Sequence, residues 1–256
     1  MIDSHSHLYS EEFDTDRNAM IARAKEAGIK HVILPNVDSE SLPRMLALES
    51  DYPNYCHAAM GLHPTSVAEN YKDELAIVES ELKRRKWIAI GEIGIDLYWD
   101  KTFEKQQVEA FRQQIEWALA YDLPIIIHTR ASMYKTIEIV KEYRGKGLRG
   151  VFHCFSGSAE EAREIMKIGG FLFGIGGVVT FKNAGVAETL KEIPLDYLML
   201  ETDAPYLTPT PFRGKRNESA YIPYIATKLS EIYHCTTDEV AEITTRNAKE
   251  LFRIAT

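Results

Sequence analysis

Five short apolar runs in this chain end in a histidine or a carboxylate. Ile2 and Leu8 flank His5 and His7; Ile90-Gly91 leads to Glu92; Leu123–Ile127 leads to His128; Gly150–Phe152 leads to His153; and Leu198–Leu200 leads to Glu201-Thr202-Asp203. Each run reads as a buried strand. A buried imidazole or carboxylate is costly unless something pairs with it, so the five ends are expected to meet at one centre. The gaps say how. From His7 to Glu92 is 85 residues, then 36 to His128, 25 to His153 and 50 to Asp203. One strand, one helix and their loops take about 25–35 residues, and eight such units about 250. The gaps therefore read as three units, one, one and two. That places the polar residues at the C-terminal ends of strands 1, 4, 5, 6 and 8 of an α/β TIM (β/α)8-type barrel. Within a strand side chains alternate between faces, so His5 and His7 are expected to point the same way.

The rest of the chain keeps the alternation of strand and helix. His31–Pro35, Tyr55–Met60 and Phe171–Gly174 read as strands 2, 3 and 7. The clearest helix runs from about Thr102 to Tyr121, where Phe103, Val108, Phe111, Ile115 and Ala118 keep a helical spacing. Helices are also expected near 220–233 and 237–252, the last one additional to the barrel. No linker or low-complexity run divides the chain, so residues 1–256 are expected to form a single domain. An open doubly wound sheet is the competing fold. It is disfavoured because Gly174-Ile175-Gly176-Gly177 does not open a convincing helix.

Composition excludes some classes of function. The longest apolar run is too short for a membrane span, and Met1-Ile2-Asp3 does not begin a leader-like pattern. Three scattered cysteines suggest reduced thiols and a cytoplasmic setting. A net charge of −8 argues against coating duplex DNA by charge alone. No obligate protein partner is evident.

His5, His7, His128, His153, Glu92 and Asp203 are more donors than one zinc usually takes. They suit two divalent ions that share a carboxylate, with Mg, Mn and Zn all admissible. Glu92 is the expected bridge. His5 and His7 would hold one ion, and His128 and His153 the other. Asp203 would complete the first and face the attacking water as general base. Two such ions lower the pKa of water and stabilise attacking and leaving oxygens.

The motifs Ile2-Asp3-Ser4-His5-Ser6-His7-Leu8, Gly91-Glu92-Ile93-Gly94-Ile95-Asp96, His128-Thr129-Arg130, His153-Cys154-Phe155-Ser156-Gly157, Glu201-Thr202-Asp203-Ala204-Pro205-Tyr206-Leu207 and Arg213-Gly214-Lys215-Arg216-Asn217-Glu218 together resemble the TatD family of metal-dependent deoxyribonucleases. That family belongs to the amidohydrolase-like barrels. The resemblance runs from the first strand to the last helices. It implies a divalent two-metal site and hydrolysis of DNA phosphodiester bonds, with an exonuclease as the expected form. Gly61-Leu62-His63-Pro64 also resembles a family motif and gives His63 a substrate-binding role. Arg213, after strand 8, is expected to grip phosphate through two parallel hydrogen bonds. Glu201 is expected to support a ligand or to pair with Arg213, and Arg130 to support His128 or meet a phosphate. Trp99 and Tyr206 could stack on a base. Ser219 departs from the pattern, standing where proline is expected. RNA or aminoacyl-tRNA are the alternative partners, the latter for an ester or amide hydrolase built on the same metals. A non-catalytic metal-binding protein is the remaining alternative.

Overall fold

Strand follows helix through the computed structural model, which describes residues 1–255. The order is β1 (Ile2–Asp3), α1 (Arg17–Glu26), β2 (His31–Pro35), α2 (Leu42–Asp51), β3 (Cys56–Ala59), α3 (Tyr71–Arg84), β4 (Ile90–Asp96), α4 (Glu104–Tyr121), β5 (Ile125–Arg130), α5 (Met133–Lys141), β6 (Gly150–Phe152), α6 (Ala159–Ile168), β7 (Phe171–Ile175), α7 (Val186–Leu190), β8 (Leu198–Leu200), α8 (Ile222–Tyr233) and α9 (Thr237–Phe252). All strand pairs are parallel and join neighbours in the chain, β1 to β3 in one ladder and β4 to β8 in another. Two short seams close the ring. Met60 bridges to Ile90 between β3 and β4. Between β8 and β1, Ser4 N donates to Leu200 O at 2.9 Å and Asp203 N to His5 O at 3.0 Å. The expected barrel is present, and α9 is the additional C-terminal helix.

Alternation sorts the strand residues into two cores. Ile2, Ile33, Ala59, Ala89, Ile126, Val151 and Met199 form the inner layer, with Leu172 packed against it. Seven strands thus supply the lumen with one apolar side chain each, and Ala89, just before β4, supplies the eighth. Ala248, Leu251 and Phe252 of α9 join that layer and plug the lower end of the barrel. Residues one step away, such as Val32, Ile125, Ile127, Phe152, Phe173 and Leu200, face the helices in the larger core. Two residues above Ile126 and Val151, on the same face, stand His128 and His153. Two and four above Met199 stand Glu201 and Asp203. The same periodicity that fills the barrel floor with hydrocarbon therefore fills its mouth with donors.

Two strands break that periodicity, and both breaks carry functional residues. β1 ends at Asp3, shorter than the expected strand, and the chain bends at His5. Unbroken alternation from Ile2 would have turned Ser4 and Ser6 inward. In β4 the register shifts between Ile90 and Ile93. Both of those isoleucines lie in the outer core although two residues separate them. This is a bulge: one extra residue that re-aims a side chain, here Glu92, which is buried in the lumen mouth. Glu92 thus sits inside its strand and not at the strand's end.

The β8–β1 seam is held by a buried carboxylate. Asp3 Oδ1 accepts from Thr202 N at 2.9 Å, while Oδ2 accepts from Thr202 Oγ1 and Ser219 Oγ, both at 2.6 Å. Ser219, the departure from the family pattern, supplies a hydroxyl that proline could not. Removing it by Ser219→Ala leaves one acceptor position of Asp3 unfilled in a site closed to water. Burial pushes the Asp3 carboxyl up to about 7, so above that pH the bond is to a charged group and contributes about 1.5–3 kcal/mol; each kcal/mol moves the melting point of a chain this size by about 2–4 °C. The variant should melt several degrees below the parent by calorimetry; an unchanged Tm would remove Asp3 as the seam's anchor.

Candidate metal centre

The six donors expected from the sequence come together at the mouth of the barrel, and each oxygen of Glu92 faces a different group of them. On the Oε2 side, His5 Nε2 lies at 3.1 Å and His7 Nε2 at 3.5 Å. Asp203 Oδ1 lies 3.6 Å from His5 Nε2 and 3.7 Å from His7 Nε2, and the two imidazole nitrogens are 3.3 Å apart. On the Oε1 side, His128 Nδ1 lies at 2.9 Å, His63 Nε2 at 3.4 Å and His153 Nε2 at 3.7 Å. Ligands held about 2.0–2.2 Å from one tetrahedral ion stand roughly 3.3–3.6 Å from each other. The first group keeps close to that spacing.

The groups behind the imidazoles orient the rings. Tyr9 Oη donates to Pro35 O at 2.5 Å, so at 2.8 Å it accepts from His7 Nδ1 and leaves Nε2 bare. Asp96 Oδ2 lies 2.9 Å from His128 Nε2, and Glu92 Oε1 lies 2.9 Å from Nδ1, so that ring sits between two carboxylates. Glu201 Oε1 lies 2.9 Å from His153 Nδ1, a charge contact without a hydrogen bond. Metal-binding imidazoles are oriented in this way, by an acceptor on the far nitrogen. His63 is arranged oppositely. Its Nδ1 accepts from Thr65 N at 3.1 Å, so Nε2 carries the proton and is a donor aimed at the Glu92 side.

The centre is therefore a convergence of carboxylates and imidazoles that calls for positive charge, from protons on the rings or from metal. Bare imidazole nitrogens and carboxylate oxygens within 3.7 Å repel one another unless positive charge lies between them. The ionisation of the groups shows the same demand. Burial works against charging His153, yet Glu201, Glu92 and Asp203 raise it to about 10. Burial also opposes ionisation of Glu92, but His5, His63, His153 and the His128 hydrogen bond hold it well below the usual carboxylate range. Burial pushes the Asp203 carboxyl up to about 6, with His153 and His7 opposing and Glu92 and Glu201 adding to the rise. The donor set fits divalent metal.

Asp96 and Tyr9 have no role in the sequence reading, and Glu201 only an open one. Asp96 was accessible in principle: it stands four residues after Glu92 on the same strand. Tyr9 sits beyond the strand, where no period applies. Glu201 pairs with His153 and accepts from Cys154 N at 2.7 Å, and does not meet Arg213. The expected place of Arg213 at the mouth is not found. Its guanidinium lies 3.7 Å from the ring centroid of Phe181 and is absent from the walls of the cavity above the donors, which encloses about 1160 Å³. The long β8–α8 loop sets this: it folds back on itself, with Asn217 Nδ2 donating to Thr202 O at 2.8 Å and Tyr206 O at 2.6 Å. Two arginines line the cavity, Arg44, which pairs with Asp14, and Arg130.

A family model described as TatD related DNase matches residues 2–253. The chain belongs to the TatD family. It is 43% identical over 255 residues to YabD, an uncharacterized metal-dependent hydrolase of Bacillus subtilis, covering 99% of both chains. It is 30% identical to a 3'-5' ssDNA/RNA exonuclease, TatD, of Pectobacterium parmentieri, covering 100% of both. Among solved structures, the TatD homologue YJJV of Escherichia coli superposes with a TM-score of 0.93 at 32% identity, over 100% of this chain and 98% of that one. Family membership and the donor chemistry agree: the protein is a metal-dependent hydrolase.

The acceptor behind His153 can be tested without touching a donor. A Cβ built on Gly174 would lie 2.0 Å from Glu201 Oε2. Glu201 is wholly buried and has nowhere to retreat. Gly174→Ala should displace it and loosen His153. Loss of such a support costs about 10–100-fold in metal affinity, measurable by titrating the chelator-stripped variant with Zn²⁺ or Mn²⁺. Parental affinity in a folded variant would show that His153 does not depend on Glu201.

Proposed function

We propose that this protein is a two-metal exonuclease that hydrolyses phosphodiester bonds at the end of single-stranded DNA. The observation that carries the reading is the division of Glu92, one oxygen toward each donor group, at the floor of an open cavity. In this reading His5, His7, Asp203 and Glu92 would hold one ion, and His128, His153 and Glu92 the other. Two divalent ions so held would supply a water of lowered pKa and stabilise the attacking and leaving oxygens. The name of the Pectobacterium relative, a 3'-5' exonuclease of ssDNA and RNA, supports both the substrate class and the direction of attack.

The chain's own groups have separable tasks. Glu92 stays ionised and holds the two halves of the site in register. Asp203, its acidity weakened by burial, takes the proton of the attacking water, and a base is most effective when its pKa approaches the working pH. The new bond joins that water's oxygen to phosphorus as the bond from phosphorus to the sugar oxygen breaks; the sugar oxygen leaves with a proton from solvent water, and Asp203 returns its own to solvent. His63, carrying its proton on Nε2, donates to a phosphate oxygen and positions it over Glu92.

Metal-reconstituted protein should shorten end-labelled single-stranded DNA one nucleotide at a time, and chelation should stop it until metal returns. RNA, blunt duplex, aminoacyl-tRNA and a cyclic amide complete the panel. Turnover of the last two but not of DNA would overturn the assignment. Asp203→Asn should lower kcat by on the order of a hundredfold or more at saturating metal; near-parental turnover would move the base to another group. His63→Ala should raise KM more than it lowers kcat, and an effect on kcat alone would deny it a binding role.

A further inference from the structure

Trp99 stands on the rim of the metal cavity with 72% of its surface in water, whereas Trp87 of the same chain is 6% exposed. A single exposed ring is ordinary, but here Tyr98, 58% exposed, stands beside it, and the pair forms an open aromatic patch at the cavity rim. The loop that carries it is held at both sides. Tyr98 N donates to Asp96 Oδ1 at 2.9 Å, and Thr102 N to Asp100 Oδ1 at 2.8 Å. The other oxygen of Asp96 is the one that orients His128. One carboxylate therefore ties the position of the rim to that of the donors. Tyr98 meets Trp99 edge to face, with ring centroids 4.8 Å apart.

Arg130, at the end of β5, completes the cluster. Its guanidinium carbon lies 4.0 Å from the centroid of Tyr98 and 5.0 Å from that of Trp99. Among the described residues no carboxylate pairs with it, although most arginines of this acidic chain have found one. An unpaired cation beside an open aromatic face, on the wall of the same cavity, matches one nucleotide unit: a base for the ring and a phosphate for the guanidinium.

We infer that Trp99 and Arg130 form a stacking subsite for one unpaired nucleobase and its phosphate next to the scissile bond. The inference deepens the nuclease reading and rests on it for the identity of the ligand. A base can lie flat on the indole only when it has left its complement, so the subsite also gives a physical reason for acting on single strands. Stacking of this kind tolerates any sequence, since every base presents a flat face.

Binding separates this proposal from hydrolysis. Protein loaded with Ca²⁺ would be titrated with oligothymidylate and with an oligomer of the same length made of abasic sugars, following tryptophan fluorescence. Oligothymidylate should quench part of the emission of the parent protein. Trp99→Ala should bind it about tenfold more weakly, with that quench lost, and Trp99→Phe should recover most of the affinity. The abasic oligomer should bind parent and Trp99→Ala alike. Arg130→Gln should weaken both oligomers and reduce the slope of log K against log salt by about 0.7, the amount expected for one phosphate on a single strand. Equal binding of oligothymidylate by Trp99→Ala, or an equal loss on the abasic oligomer, overturns the subsite. A Trp99-dependent quench in a protein that hydrolyses no nucleic acid with any metal would overturn the nuclease assignment and leave the subsite standing. Since Trp99 is exposed, the variants should retain the parental circular dichroism, which checks that binding and not folding has changed.

Discussion

A parallel barrel must bring its last strand back to its first, and here that junction is short. β1 contributes two ladder residues and β8 three. What holds them is Asp3, whose two oxygens draw in the backbone and hydroxyl of Thr202 and the hydroxyl of Ser219. The residues on either side of this knot are His5 and Asp203. This part of the candidate site is therefore not added to a finished barrel: the bonds that shut the ring also bring its first and last strand ends to hydrogen-bonding distance. Asp3 points away from the lumen and never meets the metal donors directly, yet their separation depends on it.

The chemistry of the mouth follows from orientation more than from inventory. Four histidines and two carboxylates could neutralise one another by sharing protons. Without metal they do so: the carboxylates around His128 and His153 hold protons on those rings. His7 differs, because Tyr9 accepts from its Nδ1 and leaves Nε2 as a lone pair facing the carboxylates. His63 is turned the other way by Thr65 and brings a proton in. Rings of one residue type thus present either a lone pair or a proton to the centre by what lies at their backs.

How much of this was legible in the sequence depended on whether a residue obeyed a period. His128, His153 and Asp203 continue the inward face of strands whose apolar residues announce them, and their spacing along the chain counted the intervening units correctly. His5 and His7 were found for a partly different reason. They share a face, but a bend and not a long strand turns it inward. Tyr9, Thr65 and the acceptor roles of Asp96 and Glu201 lie in contacts between distant segments, which no local pattern encodes. Arg213 was placed by analogy of position after β8. The loop that carries it is shaped by Asn217 and Ser219, whose partners could be known only once the barrel was closed.

The bulge in β4 bears on how the chain can change in length. Insertions in the loops at the mouth alter only the walls around the substrate. Between Ala89 and Ile93 the strand holds one residue more than regular pairing requires, and Glu92 lies within that stretch. Deleting a single residue there would restore an unbroken ladder and leave every strand and helix in place. Were that residue Gly91, alternation from Ile93 would keep Glu92 on the inward face, but its Cβ would take the place of Gly91, where a Cβ meets that of Ile126 at 2.6 Å. The site is thus written partly as a residue count: the extra residue lifts Glu92 clear of the hydrocarbon floor and up among the donors.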